Sequence, residues 1–273
     1  MTDSVAWFAG VPADFRALAW NIFFTSRGRG ISLVHHFPWV EDVTHTESVC
    51  ARVENRVVGG LVVRHMPMAD GGHCGLIGLV CVDESVRGLG WSHRLLDAAI
   101  VRAQQQGLAA LLLWTQKPEI YTRHGFVCEG AEMLGDVVNE SEAEPLAGQF
   151  EQSWPSGGDS SRQALRGLPA FAQSARYLGV ETARGAAGAI VLETAGGPAV
   201  AEWHGDEGDV ARLVLAALPR RWILNAIQGD RLVAALQHRG CSVQLRPSRA
   251  RFVRWLIPDT DRALPDVRVL DRI

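Results

Sequence analysis

The sequence predicts an α/β fold in which a mixed, mostly antiparallel sheet is flanked by helices. Helical spacing of apolar residues recurs, for example over residues 92–106. Two apolar runs joined by a tight turn, over 48–66, predict a hairpin. Residues 108–115 form a nearly continuous apolar run, which is typical of a strand buried on both faces.

The first half of the chain contains an ordered series of elements. Asp14 is the expected N-cap of a helix over 14–25, and 27–47 is an irregular segment with clustered glycines. Strands are expected at 48–54, 57–66, 74–82, 108–115 and 126–128, and helices at 92–106 and 118–124. Gly107 and Gly125 follow these two helices, where glycine commonly ends a helix.

A change in composition divides the chain into two parts. Glutamates crowd into the stretch after residue 135, and a run rich in proline, serine and glycine follows them. We expect a first domain over 1–140, a linker over 141–161 and a second domain over 162–273. Further helices are expected at 163–178, 209–218 and 230–237, and strands at 188–193, 199–203, 222–227, 241–245 and 250–257. From 199 onwards, the order strand, helix, strand, helix, strand repeats that of residues 74–128.

Composition and charge exclude several classes of partner. Hydrophobic residues make up 47% and charged residues 21% of the chain, and the net charge is −3. This balance predicts no nucleic-acid partner and no membrane surface. Neither a signal peptide nor an apolar stretch of membrane-spanning length is evident, so we expect a cytoplasmic protein.

The cysteines indicate core thiols. Their number is odd and none forms a C-x-x-C pair, which argues against disulfides and a metal site. The five are Cys50, Cys74, Cys81, Cys128 and Cys241.

A glycine-bearing turn between a strand and a helix is the first candidate for chemistry. It reads Arg87-Gly88-Leu89-Gly90-Trp91-Ser92. Amides at the positive end of the helix dipole could cradle a phosphate or pyrophosphate, and glycines would let the backbone approach it. A tight turn that binds nothing would also use these glycines. A Walker loop is excluded because no Gly-Lys-Ser/Thr follows.

The second candidate is the segment Tyr121-Thr122-Arg123-His124-Gly125-Phe126. Tyr121 is one of only two tyrosines, the other being Tyr177. A phenol can protonate a leaving thiolate, whereas a purely structural tyrosine would pack its helix onto the sheet.

Together, in this order, the two segments resemble the GNAT N-acetyltransferase superfamily over about residues 10–135. The turn is similar to its R/Q-x-x-G-x-G/A loop, with Ser92 at the last position, and the second segment to its Y-x-x-x-G-F. The resemblance implies acetyl-CoA as co-substrate and Tyr121 as the acid that protonates the thiolate. It also implies contacts to the pantetheine arm from Leu79, Val80, Cys81 and Val82, and to the pyrophosphate from Arg87, Gly88, Leu89, Gly90, Trp91 and Ser92.

Two features of the superfamily are missing or undecided. Residues 115–118 lack the asparagine that often contacts CoA, and the strand before the loop has no carboxylate to act as general base. The remaining candidates for the base are His35, His36, His65, His73, Glu41 and Glu84, and a chain of waters is the alternative. Cys81 is more readily interpreted as a core thiol than as an acetylated nucleophile.

The second half lacks these chemical features. The loop before its first repeated helix, residues 204–208, is acidic, and Leu236 stands at the position of the tyrosine. We interpret it as a degenerate GNAT-like domain with a structural or substrate-shaping role.

The sequence thus predicts an N-acetyltransferase that moves an acetyl group from acetyl-CoA to a primary amine of a small molecule, by direct attack in a ternary complex, without a metal. The alternatives are another acyl-CoA or acyl-carrier donor, and a non-catalytic module that binds CoA or a partner.

Overall fold

The computed structural model describes residues 3–28, 30–140, 145–154, 166–227, 229–257 and 263–272. The chain forms two compact units. The first comprises Met1–Gly130, Ala250–Val267 and Asp271–Ile273, and the second comprises Ala131–Arg249 and Arg268–Leu270. In each unit, helices pack on a mixed, mostly antiparallel sheet, as predicted. Residues 250–257 and 263–267 lie with the first unit.

Strands from two separate parts of the chain form the sheet of the first unit. Its elements are β1 (Ser4–Ala9), α1 (Ala13–Phe23), α2 (Leu33–His36), β2 (Thr46–Val53), β3 (Arg56–Pro67), β4 (His73–Val82), α3 (Trp91–Gln105), β5 (Ala110–Thr115) and α4 (Pro118–Thr122). The strands follow the order β1-β2-β3-β4-β5, and residues 250–255 of the last strand, β12 (Ser242–Trp255), complete this sheet beside β5. β4 and β5 are parallel, and the other neighbours are antiparallel.

Helix α3 buries the face predicted from its sequence. Leu95, Leu96 and Ala99 are fully buried and pack with Leu61 of β3 in the main core of the unit. Each buried leucine contributes roughly 2 kcal/mol through removal of apolar surface from water. This packing fixes the start of α3 against the end of β4, where the glycine-bearing turn joins them.

The second unit repeats the predicted order of elements. They are β6 (Val127–Val138), β7 (Gln149–Ser153), β8 (Ala172–Thr182), β9 (Gly185–Thr194), β10 (Gly197–His204), α5 (Glu207–Ala217), β11 (Arg221–Ala226), α6 (Arg231–His238) and the first part of β12. β10 and β11 are parallel through Ala199↔Ile223 and Val200↔Leu224, while β6, β9, β8 and β7 extend the sheet with antiparallel pairs.

Several described elements differ from the secondary structure predicted from the sequence. The helix expected at 163–178 is strand β8 over its described part from 172, because pairing with β9 along its whole length overrides the helical preference of its alanines and leucine. The expected linker contains strand β7, although residues 141–144 and 155–161 lie outside the described part. Strand β1 was not predicted, and the two expected closing strands are one, β12.

No helix in the described part of the chain is both long enough and apolar enough to cross a membrane. Within the same part of the chain, no cluster of potential metal ligands occurs. All five cysteines are free thiols, and all except the exposed Cys128 are buried.

Candidate active site

Strands β4 and β5 separate towards their carboxyl ends. Their parallel pairing covers only Gly75↔Leu111 and Leu76↔Leu112, although both strands continue for at least three further residues. A bulge in the β3–β4 register accompanies the separation, and Leu79 adopts a left-handed φ of 47°. A bulge bends a strand and disrupts its ladder, so the far end of β4 presents backbone groups to a gap. An extended ligand could pair with that edge.

The loop after β4 is held by side chains at its start. Asp83 accepts a hydrogen bond from the amide of Ser85 at 3.0 Å, and Arg87 donates from Nε to the carbonyl of Val82 at 3.2 Å. Gly88 and Gly90 both have φ of 80°, and a Cβ at either position would meet no atom within 4 Å. The left-handed backbone therefore explains the two glycines, since a side chain would have space but would be strained.

The first turn of α3 has open amides. Gly90 is its N-cap and supplies no side-chain cap, and the first helical bond runs from the amide of Arg94 to the carbonyl of Gly90 at 3.2 Å. The amides of residues 91–93 consequently have no acceptor within the helix. Together with the helix dipole, they favour binding of an anion.

A cavity of about 690 Å³ lies over this turn and the gap beside β4. Nine of the sequence-predicted site residues line it, namely Val80, Cys81, Val82, Arg87, Gly88, Gly90, Trp91, Ser92 and Tyr121. Leu79 is buried and Leu89 is 69% exposed, and neither is among the lining residues. The lining residues that the sequence did not indicate are Ile22, Phe23, Val86, His93, Thr115, Lys117 and Ile120.

The charge of the cavity suits an anion. Arg87 and Lys117 are cationic, and none of the described lining residues is acidic. In a partly enclosed site such charges attract phosphate groups more strongly than on an open surface. The lining therefore fits a ligand with a pyrophosphate at one end.

Tyr121 lies in the same cavity, on the short helix α4. Its ring packs edge-on against buried Phe126, with the centroids 6.1 Å apart, and the amide of His124 donates to its carbonyl at 2.9 Å. Burial raises the pKa of the Tyr121 phenol above its ordinary value. The hydroxyl thus stays protonated at neutral pH and can act as a proton donor.

Cys81 is unsuited to covalent catalysis. It is buried, and burial raises the pKa of its thiol to about 12. Because the thiolate is the nucleophile, a thiol that stays protonated at neutral pH is a core residue.

The six candidate bases lie away from this cavity, since none is among its lining residues. His36 is buried, and its Nε2 accepts a hydrogen bond from the amide of Ile31 at 3.1 Å. Burial is the main cause of the lowered pKa of His65, whose Nε2 lies 3.8 Å from a carboxylate oxygen of Glu47. The other candidates occupy the start of β4, helix α2 and two short turns: His73, His35, Glu41 and Glu84.

Three polar residues near the cavity were missed by the sequence reasoning. His93 Nδ1 lies 2.8 Å from His124 Nε2, and His124 Nδ1 lies 2.9 Å from a carboxylate oxygen of Asp97. The available signals were the spacing of four residues between His93 and Asp97 on one helix, and the place of His124 in the tyrosine segment.

The acetyltransferase (GNAT) family model matches residues 13–126, the part of the chain that builds this cavity. Residues 13–126 are thus similar to the GNAT acetyltransferases. The GNAT match includes the glycine-bearing turn, α3 and the segment from Tyr121 to Phe126. A comparison with curated proteins found no match.

Solved structures extend the GNAT likeness to the fold of nearly the whole chain. A probable N-acyltransferase from Enterococcus faecalis V583 has a TM-score of 0.68 at 15% identity, covering 94% of this chain and 73% of its own. A GCN5-related N-acetyltransferase from Anabaena variabilis has a TM-score of 0.65 at 12% identity, covering 93% of this chain and 73% of its own. A tandem GNAT protein from the clavulanic acid biosynthesis pathway has a TM-score of 0.57 at 14% identity, covering 94% of this chain and 100% of its own.

The second unit keeps the GNAT framework but differs at the equivalent helix. β10 is bulged between Val200 and Glu202, and like β4 it has two residue pairs with its parallel neighbour. Helix α5, however, is capped by Asp206, whose carboxylate accepts from the amide of Asp209 at 3.0 Å. A helix that already carries its own carboxylate at this end is not prepared for a phosphate.

Two arginines bind a second carboxylate, that of Asp209, at this capped end of α5. The side chain of Asp209 is fully buried and accepts hydrogen bonds from Arg184, Arg212 and Thr182 at distances from 2.5 to 3.0 Å. The bond from Arg184 is the largest cause that holds the pKa of Asp209 far below its usual range. The sequence around α5 contained no basic residue before the helix, and Arg184 reaches it from the β8–β9 turn.

Proposed function

We propose that the chain is an N-acetyltransferase that moves the acetyl group of acetyl-CoA to a primary amine of a small molecule. The observation that carries this proposal is that open helix amides, an unpaired β4 edge and a protonated phenol meet in one cavity. These are the groups needed for a pyrophosphate, an extended amide-containing arm and a leaving thiolate, respectively.

The chain's own groups would divide the work as follows. The amides of residues 91–93, together with Arg87, bind the pyrophosphate, and the edge of β4 around Val80 orients the pantetheine arm. Backbone amides at that edge polarise the thioester carbonyl, so the tetrahedral intermediate formed by the amine is stabilised. The neutral amine attacks directly, the C–S bond breaks, and Tyr121 donates its proton to the sulfur. The proton lost by the amine passes to water, and the phenol is then reprotonated.

Turnover with a panel of amines tests the proposal. The wild-type protein would be incubated with acetyl-CoA and amino sugars, amino acids or polyamines, with release of free thiol and the mass of the acetylated product as readouts. We expect acetylation of at least one small amine. Turnover only with longer acyl-CoA or acyl-carrier donors would show that acetyl-CoA is not the donor. Binding of acetyl-CoA without turnover on any amine would indicate a non-catalytic module.

The tyrosine variants provide a matched comparison within that assay. Tyr121→Phe keeps the ring against Phe126 but removes the hydroxyl, so we expect kcat to fall by roughly 100-fold with little change in acetyl-CoA affinity. Tyr177, whose hydroxyl lies 3.0 Å from His204 Nε2 in the second unit, is the control. Tyr177→Phe should leave kcat unchanged. Equal rates for both variants would contradict the general-acid role.

A further inference from the structure

A hydrogen-bonded chain runs from the cavity towards solvent. His93 is the third residue of α3 and lines the cavity, His124 follows α4 and is 8% exposed, and Asp97 is exposed one turn along α3. The contacts measure 2.8 Å between the two imidazoles and 2.9 Å between His124 and Asp97. The ring of His124 is buried and has a polar partner on each side, so its position is fixed. Its contact with His93 in turn restricts the orientation of the His93 ring.

The direction of donation follows from the carboxylate. An ionised Asp97 can only accept, so His124 must donate from Nδ1. With His124 Nε2 as the acceptor of the 2.8 Å contact, His93 donates to it from Nδ1. The remaining nitrogen of His93, Nε2, is the one left for a ligand.

The surroundings of His93 favour an anionic ligand at that nitrogen. Its own amide belongs to the open first turn of α3, and Arg87 and Lys117 line the same cavity. Tyr121 and Cys81 are further titratable groups in this cavity, Arg94 lies over the ring of Trp91, and Arg254 donates to the carbonyl of His124. Asp97 supplies the carboxylate at the far end of this series of hydrogen bonds, where it contacts His124 on the side away from His93.

We propose that the imidazolium of His93 is a direct ligand of the donor's pyrophosphate, and that Asp97, through His124, is the positioning residue that orients this ring. The inference rests on the proposed function, because it concerns how the same cavity holds acetyl-CoA. An imidazolium donating to a phosphate oxygen forms a charge-assisted bond, which is stronger than a neutral one. Deprotonation of the ring removes this bond, so affinity for the pyrophosphate should weaken as the pH rises.

Binding of dephospho-CoA, measured by calorimetry from about pH 5.5 to about pH 8, tests this inference. This probe keeps the pyrophosphate but lacks the terminal phosphate monoester, which would itself titrate near pH 6. Wild-type affinity should fall about tenfold over the range. His93→Gln should bind about tenfold more weakly at the acid end and lose the pH dependence. His93→Arg or His93→Lys should restore affinity and also be independent of pH.

Two further variants separate a ligand from a structural residue. Asp97→Asn should weaken binding when His93 is present but have no effect in the His93→Arg background, since the arginine needs no imidazole to orient it. His238→Gln, at the exposed end of α6, should match the wild type. Pantetheine, which has no phosphate, should bind all variants equally.

The outcomes distinguish this inference from the proposed function. If the wild type binds neither acetyl-CoA nor dephospho-CoA, the proposed function fails and the inference fails with it. If the wild type binds but His93→Gln has the same affinity and pH profile, only the inference is overturned. Failure of both His93→Arg and His93→Lys to restore binding would also overturn it, because the role of His93 would then be structural.

Discussion

At the scale of single residues, the two units differ at the first turn of one helix each. Gly90 begins α3 without a side-chain cap, whereas Asp206 begins α5 with a carboxylate that accepts from a first-turn amide. The same backbone plan thus presents open donors in one unit and satisfied donors in the other. Asp209 strengthens the second arrangement, because its buried carboxylate binds two arginines.

The buried carboxylate of Asp209 should matter for stability. Asp209→Ala removes the partner of Arg184 and Arg212, and we expect it to lower the free energy of unfolding at neutral pH by about 3 kcal/mol. Asp136→Ala is the control, because its ion pair with Arg246 at 3.0 Å is half exposed on both sides and should contribute less than about 1 kcal/mol. Urea denaturation of both variants and the wild type measures the difference.

The pH dependence of that difference has a definite sign. The folded-state pKa of Asp209 is lowered from its model-peptide value of 3.8, so its stabilisation is fully present above about pH 4. It is lost as the pH falls below that value, since the unfolded carboxylate then binds a proton more readily than the folded one. The gap between wild type and Asp209→Ala should therefore shrink in acid. A gap that is constant from neutral pH to about pH 3 would contradict the ion-pair explanation.

At the scale of elements, the strand that completes the first sheet comes from the far end of the chain. Residues 250–255 pair along the whole of β5, from Ala250↔Thr115 to Trp255↔Ala110, and Val253 is fully buried. Trp255 also donates from Nε1 to Glu129 at 3.0 Å. Without this segment, β5 would become an edge strand with unpaired backbone groups and uncovered apolar side chains.

A fragment of residues 1–130 should consequently be aggregated or melt at a much lower temperature than the full chain. The matched control is the same fragment with residues 250–267 joined to it by a flexible glycine-serine linker, which should be monomeric and more stable. Thermal melts and size-exclusion chromatography measure both. A monomeric 1–130 fragment with the melting temperature of the full chain would show that β5 does not need this partner.

Local patterns predicted much of the fold, and the exceptions have a common cause. The glycine turn, α3 and the Tyr121 segment were identified because each is encoded by residues close together in sequence. The pairing of β5 with residues 250–255 could not be predicted, since nothing local marks a partner more than 130 residues away. The contact of His93 with His124 joins two elements in the same way, and β8 has helix-like spacing that only its partner β9 overrides.

At the scale of the whole molecule, we propose that only the first unit binds the ligand. The family match, the cavity and the open helix end all lie within it. The second unit retains the bulge, the parallel pair of strands and the two helices, but a carboxylate caps its helix and Leu236 is fully buried in α6. We therefore expect one molecule of acetyl-CoA to bind per chain.

Calorimetric titration of acetyl-CoA into three proteins tests this central claim most directly. Gly90→Glu places a negative side chain at the open end of α3, while Gly107→Glu places the same residue just beyond the other end of that helix. The two glycines have similar φ values, 80° and 71°, and a Cβ at either would meet no atom within 4 Å, so the backbone strain is matched. We predict one site per chain in the wild type and in Gly107→Glu, and a loss of affinity of at least about 100-fold in Gly90→Glu. A folded Gly90→Glu protein that binds acetyl-CoA as tightly as the wild type would contradict the account.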